Sequence, residues 1–146
     1  MTVHLNGKEI ADKLSNVFPT SIIASDSEVI VIDSKFFYQV ADYLKNTAEF
    51  DFNYLANLTS ADYLDYFEVI YNLVSLKHNH SLMLKTRCYG RENPEVPSVV
   101  SLWRTADYQE REVYDLMGIT FTGHPNMKRL LLWDGFTGHP LRRDYL

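Results

Sequence analysis

The pentapeptide Phe-Thr-Gly-His-Pro occurs twice near the end of this 146-residue sequence, at residues 121–125 and 136–140, and places two histidines in the same local setting. Imidazole is the commonest protein ligand for a metal, which makes His124 and His139 the first candidates for chemistry. A closed metal site needs about four ligands, and neither a cysteine nor a Glu-x-x-His element accompanies this pair. Gly-His-Pro also has a conformational reading. Glycine reaches positive φ, and proline fixes its own φ while extending the residue before it. Each copy is therefore expected to form a rigid corner whose histidine hydrogen-bonds at the surface.

A charged cluster precedes the corners. Glu110, Arg111, Glu112 and Asp115 crowd two helical turns. Glu112 and Asp115 are three apart and Arg111 and Asp115 four apart, spacings that share a helix face and allow ion pairs. On spacing alone this is a solvated face worth roughly a few tenths of a kcal/mol per pair. The alternative buries Arg111 or Glu112 against a partner, where paired charges set register more than affinity. Glu110 and Glu112 are two apart and point to different sides of a helix, so they do not make an acid–base pair. The sequence has no Gly-x-Gly-x-x-Gly, Walker loop, Gly-x-Ser-x-Gly or Cys-x-x-Cys. Phosphate binding and nucleophilic catalysis thus lack their signatures. No catalytic, cofactor-binding or metal-binding residue is expected, and the chain reads as a scaffold or docking protein.

The elements that must position these residues belong to one ordinary domain, since 146 residues with 46% apolar and 23% charged side chains can bury a core without disulfides or metals. Cys88 is the single cysteine; it excludes an internal disulfide and cannot by itself hold an iron–sulfur cluster, and its apolar neighbours make it a buried structural thiol. No stretch approaches the roughly eighteen apolar residues of a membrane span, and the first residues lack a signal pattern, so a soluble protein in a reducing compartment is expected. Lys and Arg stand against Asp and Glu as 7 to 11 over residues 1–90, 3 to 6 over 91–120 and 4 to 2 over 121–146. Four cations are too few for a nucleic-acid footprint; the basic end reads as a docking surface for a protein.

Asn6 followed by Ile10, Leu14 and Val17 predicts an amphipathic helix ending near Pro19. Residues 21–24 and 29–32 predict a hairpin, and Phe36, Phe37, Val40, Tyr43 and Leu44 a second helix to about Thr47. Residues 53–58, 66–76 and 80–89 read as strands, the second with one wetter face. Two prolines make residues 91–97 a linker between an α+β core over 1–96 and a block over 97–146. Within that block, the run 99–103 leads into a helix to about Met117 capped by Gly118, followed by an extended arm.

The block from Ala106-Asp-Tyr-Gln-Glu-Arg-Glu-Val-Tyr-Asp-Leu-Met-Gly-Ile119 through Phe121-Thr-Gly-His-Pro125, Arg129-Leu-Leu131 and Gly138-His-Pro-Leu-Arg-Arg-Asp-Tyr145 closely resembles the signature of the C subunit of complex I. This is the 30-kilodalton-type subunit of respiratory NADH:quinone oxidoreductase. The resemblance reaches upstream to Phe67-Glu-Val69, Leu76-Lys-His-Asn79 and Val96-Pro-Ser-Val99. It implies an α+β fold, a two-layer core with a mixed sheet followed by a C-terminal helix and arm. It also implies a place in the hydrophilic arm of the complex, peripheral on the cytoplasmic face of the cell (inner) membrane. The implied neighbours are the 49-kilodalton-type quinone-site subunit and cluster-bearing subunits; the iron–sulfur clusters and any flavin lie in those partners. Carried over by position, the signature residues are Glu110, Arg111, Glu112, Tyr114, Asp115, Gly118, Gly123, His124, Pro125, Arg129, Gly138, His139, Pro140, Arg142, Arg143 and Asp144, all assigned to structure and assembly.

Where the family usually has proline after Asp-Tyr, this sequence has Leu146 and ends, so the longer tail that wraps neighbouring subunits is expected to be absent. That departure leaves open a ferredoxin- or deazaflavin-dependent relative, a membrane-bound hydrogenase, or a truncated gene. Two readings from other classes stand beside the family: a free-standing metalloenzyme using His124, His139 and a carboxylate, and an adaptor outside any redox complex.

Overall fold

The computed structural model describes residues 2–127 and 138–144. Helix α1 (Gly7–Val17) begins where expected: the Asn6 side chain accepts from the Lys8 and Glu9 amides at 3.0 and 3.3 Å, satisfying two of the amides that a helix start leaves unpaired. Gly7 is required by contact, because a Cβ there would lie 2.5 Å from the Asp26 carbonyl oxygen. Helix α2 (Ser34–Asn46) is capped in the same way by Asp33. Both helices bury one stripe, Ile10, Ala11 and Leu14 from α1 and Phe37, Val40, Ala41 and Leu44 from α2.

They cover one face of a mixed six-stranded sheet made of β1 (Val3–His4), β2 (Ile22–Ser25), β3 (Val29–Ile32), β4 (Tyr54–Asp62), β5 (Phe67–Ser75) and β6 (His80–Cys88). The strand order is β2-β3-β6-β5-β4, and β1 also pairs with β6. The β2–β3, β4–β5 and β5–β6 pairs are antiparallel, whereas β1 and β3 run parallel to β6. Alternation sorts the faces. Phe67, Val69, Tyr71 and Leu73 of β5 join Leu82 and Leu84 of β6 beneath the helices, and the Phe37 ring lies 4.4 Å from that of Tyr71. Ile70, Asn72 and Val74 line the half-exposed opposite face, in keeping with the wetter parity read in this strand. Cys88 is buried with the core, and burial pushes its thiol up to about 12, which makes it inert.

The C-terminal part is a second, smaller unit of structure on the same core. Strand β7 (Glu95–Pro97) pairs in parallel with β8 (Thr120–Thr122), and helix α3 (Ala106–Met117) provides the crossover that a parallel pair requires. Strands β1, β7 and β8 have no signal in the sequence. β7 falls inside the stretch expected to be a linker, and its Val96 is 1% exposed within the common core. The helix also starts later than its apolar run suggests. Residues 99–105 form a turn in which the Leu102 and Trp103 amides both donate to the Val99 carbonyl. This turn is tied to the segment entering β4 by Trp103 Nε1, which donates to the Phe52 carbonyl at 3.0 Å, and to β4 itself by Thr105 Oγ1, which donates to the Leu55 carbonyl at 3.2 Å. Tertiary anchoring therefore overrides the helical pattern.

Phe37 joins α2 to the centre of the sheet and is fully buried. Phe37→Ala is expected to lower unfolding free energy by about 3–5 kcal/mol, read as a shift of the urea midpoint with an unchanged slope.

Candidate functional site

Helix α3 turns Ala106, Glu110, Val113 and Met117 toward the core, a helical stripe interrupted by one carboxylate. Its Gln109 amide accepts from the Leu58 amide of β4 and donates to the Thr105 carbonyl at 3.2 Å. Gln109 thereby takes the place of a neighbouring strand on the outer side of β4. An open groove of about 250 Å³ runs between β4 and α3, lined among others by Ala56, Ser60, Glu112, Leu116 and Leu141. Glu110 has no exposed surface; Ser98 Oγ donates to Oε1 at 2.6 Å and the Val99 amide to Oε2 at 2.8 Å. Glu112, two positions on, is exposed, as the helical offset of the two carboxylates requires.

The first Gly-His-Pro corner closes on the front half of α3. Gly123 takes φ 88°, and the buried His124 ring accepts the Asn126 amide on Nδ1 at 2.9 Å. Nδ1 is therefore unprotonated and Nε2 carries the hydrogen. That Nε2 faces the Asp107 carbonyl at 3.3 Å and its Oδ1 at 3.0 Å. Pro125 lies in the exposed turn that follows.

The second corner closes on the rear half. Gly138 also takes φ 88°; His139 Nδ1 donates to the Asp115 carbonyl at 3.0 Å, and its ring lies 5.9 Å from that of the half-buried Tyr114. After the half-buried Pro140, the Leu141 amide donates to the Leu116 carbonyl at 2.9 Å and Arg142 Nε to that of Met117 at 2.6 Å. A guanidinium on the last carbonyls of a helix satisfies orphan acceptors and complements the negative end of the dipole. Gly118 makes this approach feasible. It caps α3 at φ 78°, and a Cβ there would lie 2.6 Å from both Arg142 Nη2 and His139 Cδ2.

Beyond the helix the same segment meets the sheet. Asp62, its side chain 1% exposed, accepts from Arg91 Nη1 and Nη2 at 2.6 and 2.8 Å, from the Leu64 amide at 2.8 Å and from the Arg143 amide at 2.9 Å. Arg91 also pairs with Asp144 at 2.9 Å. The guanidinium carbons of Arg91 and Arg142 lie 4.5 and 5.0 Å from the centre of the Phe67 ring. Arg91, followed by the amides of Arg143 and Leu64, holds the Asp62 carboxyl well below the usual carboxylate range despite its burial.

Of the remaining signature residues, Asp115 is fully buried and Arg111 lies 5.9 Å from the Tyr108 ring. Arg129 lies outside the described residues. Among the described residues, no group of three or more His, Cys, Asp or Glu side chains is placed to hold a metal ion, and no helix is long and apolar enough to cross a membrane.

Residues 30–146 match the family described as respiratory-chain NADH dehydrogenase, 30 Kd subunit. The chain belongs to this family. A relative, the NADH-quinone oxidoreductase C subunit of Roseiflexus sp. (strain RS-1), is 38% identical over 148 residues, a match that covers 96% of this chain and 84% of the relative. The probable NADH-ubiquinone oxidoreductase 30.4 kDa subunit, mitochondrial, of Candida maltosa is 37% identical and covers 98% of this chain, which spans 52% of that relative's length. Among solved structures, a chain of the membrane-bound sulfane sulfur reductase, an archaeal respiratory membrane complex, superposes with a TM-score of 0.65. It is 21% identical and covers 88% of this chain and 77% of its own, so the two share the fold.

The 30 Kd family signature, read as a string, does not show which residues stand on the other side of these contacts, and Asp62 and Arg91 lie outside it. Asp62 and Arg91 are 29 positions apart, and Arg91 and Asp144 are 53 apart. Ser98 and Asp107 likewise carry no mark of their role. A local clue exists only for Arg91, a lone cation among prolines and acids in a stretch that breaks regular structure.

Arg91→Met is expected to cost about 3–5 kcal/mol, because Asp62 would be left buried without its cation. The folded carboxyl lies well below its ordinary value of 3.8, so its stabilisation is complete above that value, starts to be lost as pH falls below it and is gone only once pH falls through the folded value. Urea unfolding between pH 7 and 3 should therefore show an acid-side loss in the wild type that is much smaller in the variant. Gly118→Ala is expected to destabilise by about 1–3 kcal/mol through its positive φ and the two close contacts, and to speed hydrogen exchange at the Leu141 amide selectively.

Proposed function

We propose that the chain is a non-catalytic subunit of the hydrophilic arm of a complex I-type NADH:quinone oxidoreductase. Its role is to hold the quinone-site subunit and cluster-bearing subunits in register while the complex transfers electrons to quinone, coupled to ion translocation. Family membership supports the parent assembly. One observation carries the structural role. Three side chains of the signature are directed at this chain's own backbone: His124 is engaged at both ring nitrogens, and His139 and Arg142 donate to carbonyls of α3. A histidine with both nitrogens occupied by protein groups has no lone pair to offer a metal.

In this reading clusters and flavin belong to the partners. The chain reaches the cytoplasmic face of the cell (inner) membrane only through the assembled complex.

The test is recovery of the tagged full chain from native membranes in mild detergent, with iron and flavin measured in the preparation. Co-purification with a quinone-site subunit, cluster-bearing partners and a flavin-containing NADH module is the expected result. Partners without that module would overturn the NADH assignment in favour of a ferredoxin or deazaflavin donor. Recovery of the chain by itself with stoichiometric metal would overturn the whole reading. Arg111→Ala and Asp144→Ala are expected to lower the yield of assembled hydrophilic arm several-fold.

A further inference from the structure

Four carboxylates are buried among the described residues, Asp62, Glu68, Glu110 and Asp115, and the first three differ in what faces them. Asp62 has Arg91. Glu68, its side chain 4% exposed, has Lys85 and Arg87, each at 3.2 Å. Glu110, with no exposed surface, is met by a hydroxyl and an amide and forms no ion pair among the described residues. An ionised carboxylate removed from water without a cation is costly enough that the group takes up a proton instead.

The other ionisable groups around it add no compensation. Asp107 lies one turn earlier on α3 and opposes a second negative charge; its own neighbour is His124. Tyr71 of β5, fully buried with no hydrogen-bond partner for its hydroxyl among the described residues, is near enough to feel the Glu110 charge. Burial, aided by Asp107, pushes the Glu110 carboxyl up to about 7, against the opposing pull of the Ser98 hydroxyl and the Val99 amide.

We propose that Glu110 is a proton-binding site, and that its occupancy selects between two hydrogen-bonding arrangements joining α3 to the turn at residues 98–100. With the carboxylate ionised, the Ser98 hydroxyl and the Val99 amide both donate to it. When a proton from solvent occupies Oε1, that oxygen donates to Ser98 Oγ, the serine hydrogen rotates away, and the Val99 amide keeps Oε2. The 2.6 Å separation of Ser98 Oγ and Oε1 suits either direction of donation. Ser98 Oγ also accepts the Val100 amide at 3.2 Å, so the exchange reaches the chain that leads into α3.

The folded carboxyl lies above its ordinary value of 4.5, so between these values the folded state binds more protons than the unfolded one, and stability falls as pH rises. The full chain and Glu110→Gln, which keeps the shape and cannot ionise, are unfolded in urea at pH 5 and pH 8. The ratio of wild-type to variant unfolding constants is expected to rise on the order of a hundred-fold across that range. A ratio independent of pH overturns the proposal. Should the variant fail to fold, carboxyl-13C-labelled glutamate in the wild type decides: one resonance titrating near neutrality is expected, and all glutamates titrating in the ordinary range overturn it.

Discussion

The Asp62 carboxylate is the constraint on which the C-terminal part of this molecule depends. Four donors converge on a group with 1% side-chain exposure, two from Arg91 and one each from the amides of Leu64 and Arg143. These donors come from the turn after β4, the approach to β7 and the last described residues of the chain. Leu64 is held at φ 69°, a strained setting for a branched side chain, while its amide donates to Asp62 and its carbonyl accepts from Arg91 at 3.3 Å. A buried ion pair adds little net stability over apolar packing of the same shape, yet it is costly to break and tolerates few alternative partners. Its contribution is to fix which residue of the returning segment meets the sheet.

Helix α3 is then gripped from three directions. Ser98, before it in sequence, meets Glu110. His124, after it, reaches Asp107, and the residues that follow His139 close over its last turn. The parallel pairing of β7 and β8 forces a crossover, and α3 is that crossover, so strand pairing and helix docking specify the same placement. Burying Glu110 in this seat without a cation is a local conflict, and it persists because the carboxyl satisfies the buried Ser98 hydroxyl and Val99 amide. Such conflicts belong to sites where something other than stability is being specified.

Most of the sheet and both early helices are legible in the sequence because their signals are local. Asn6 and the stripe of Ile10 and Leu14 announce α1, and Gly118 announces the end of α3. Both Gly-His-Pro corners have glycine at φ 88°, as the triplet implies. What escapes the sequence is long-range. β1, β7 and β8 are two or three residues long, too short for any periodicity, and exist only through their partners. Val99 to Trp103 looks helical by composition but is drawn into a turn by carbonyls of Phe52 and Leu55 about fifty residues away in sequence. For the signature residues, the string reveals their identity but not their direction, which depends on groups such as Asp62 and Ser98 that carry no local mark.

The repeated pentapeptide shows how direction decides contact. His124 meets α3 at Asp107 and His139 meets it at Asp115, eight positions apart and about 12 Å along the helix. Two copies of one corner thus secure the two halves of one helix, each with an imidazole aimed at a backbone carbonyl. Neither copy is arranged to share a ligand with the other. Because the grips use the inward and rear sides of α3, the side that carries Tyr108, 63% exposed, and the exposed Glu112 is not occupied by these corners, and Leu141, 61% exposed, stands at the rim of the groove beside it. The buried charges and the two corners thus fix α3 from its inward and rear sides, and the side that carries Tyr108 and Glu112 is left uncovered by them.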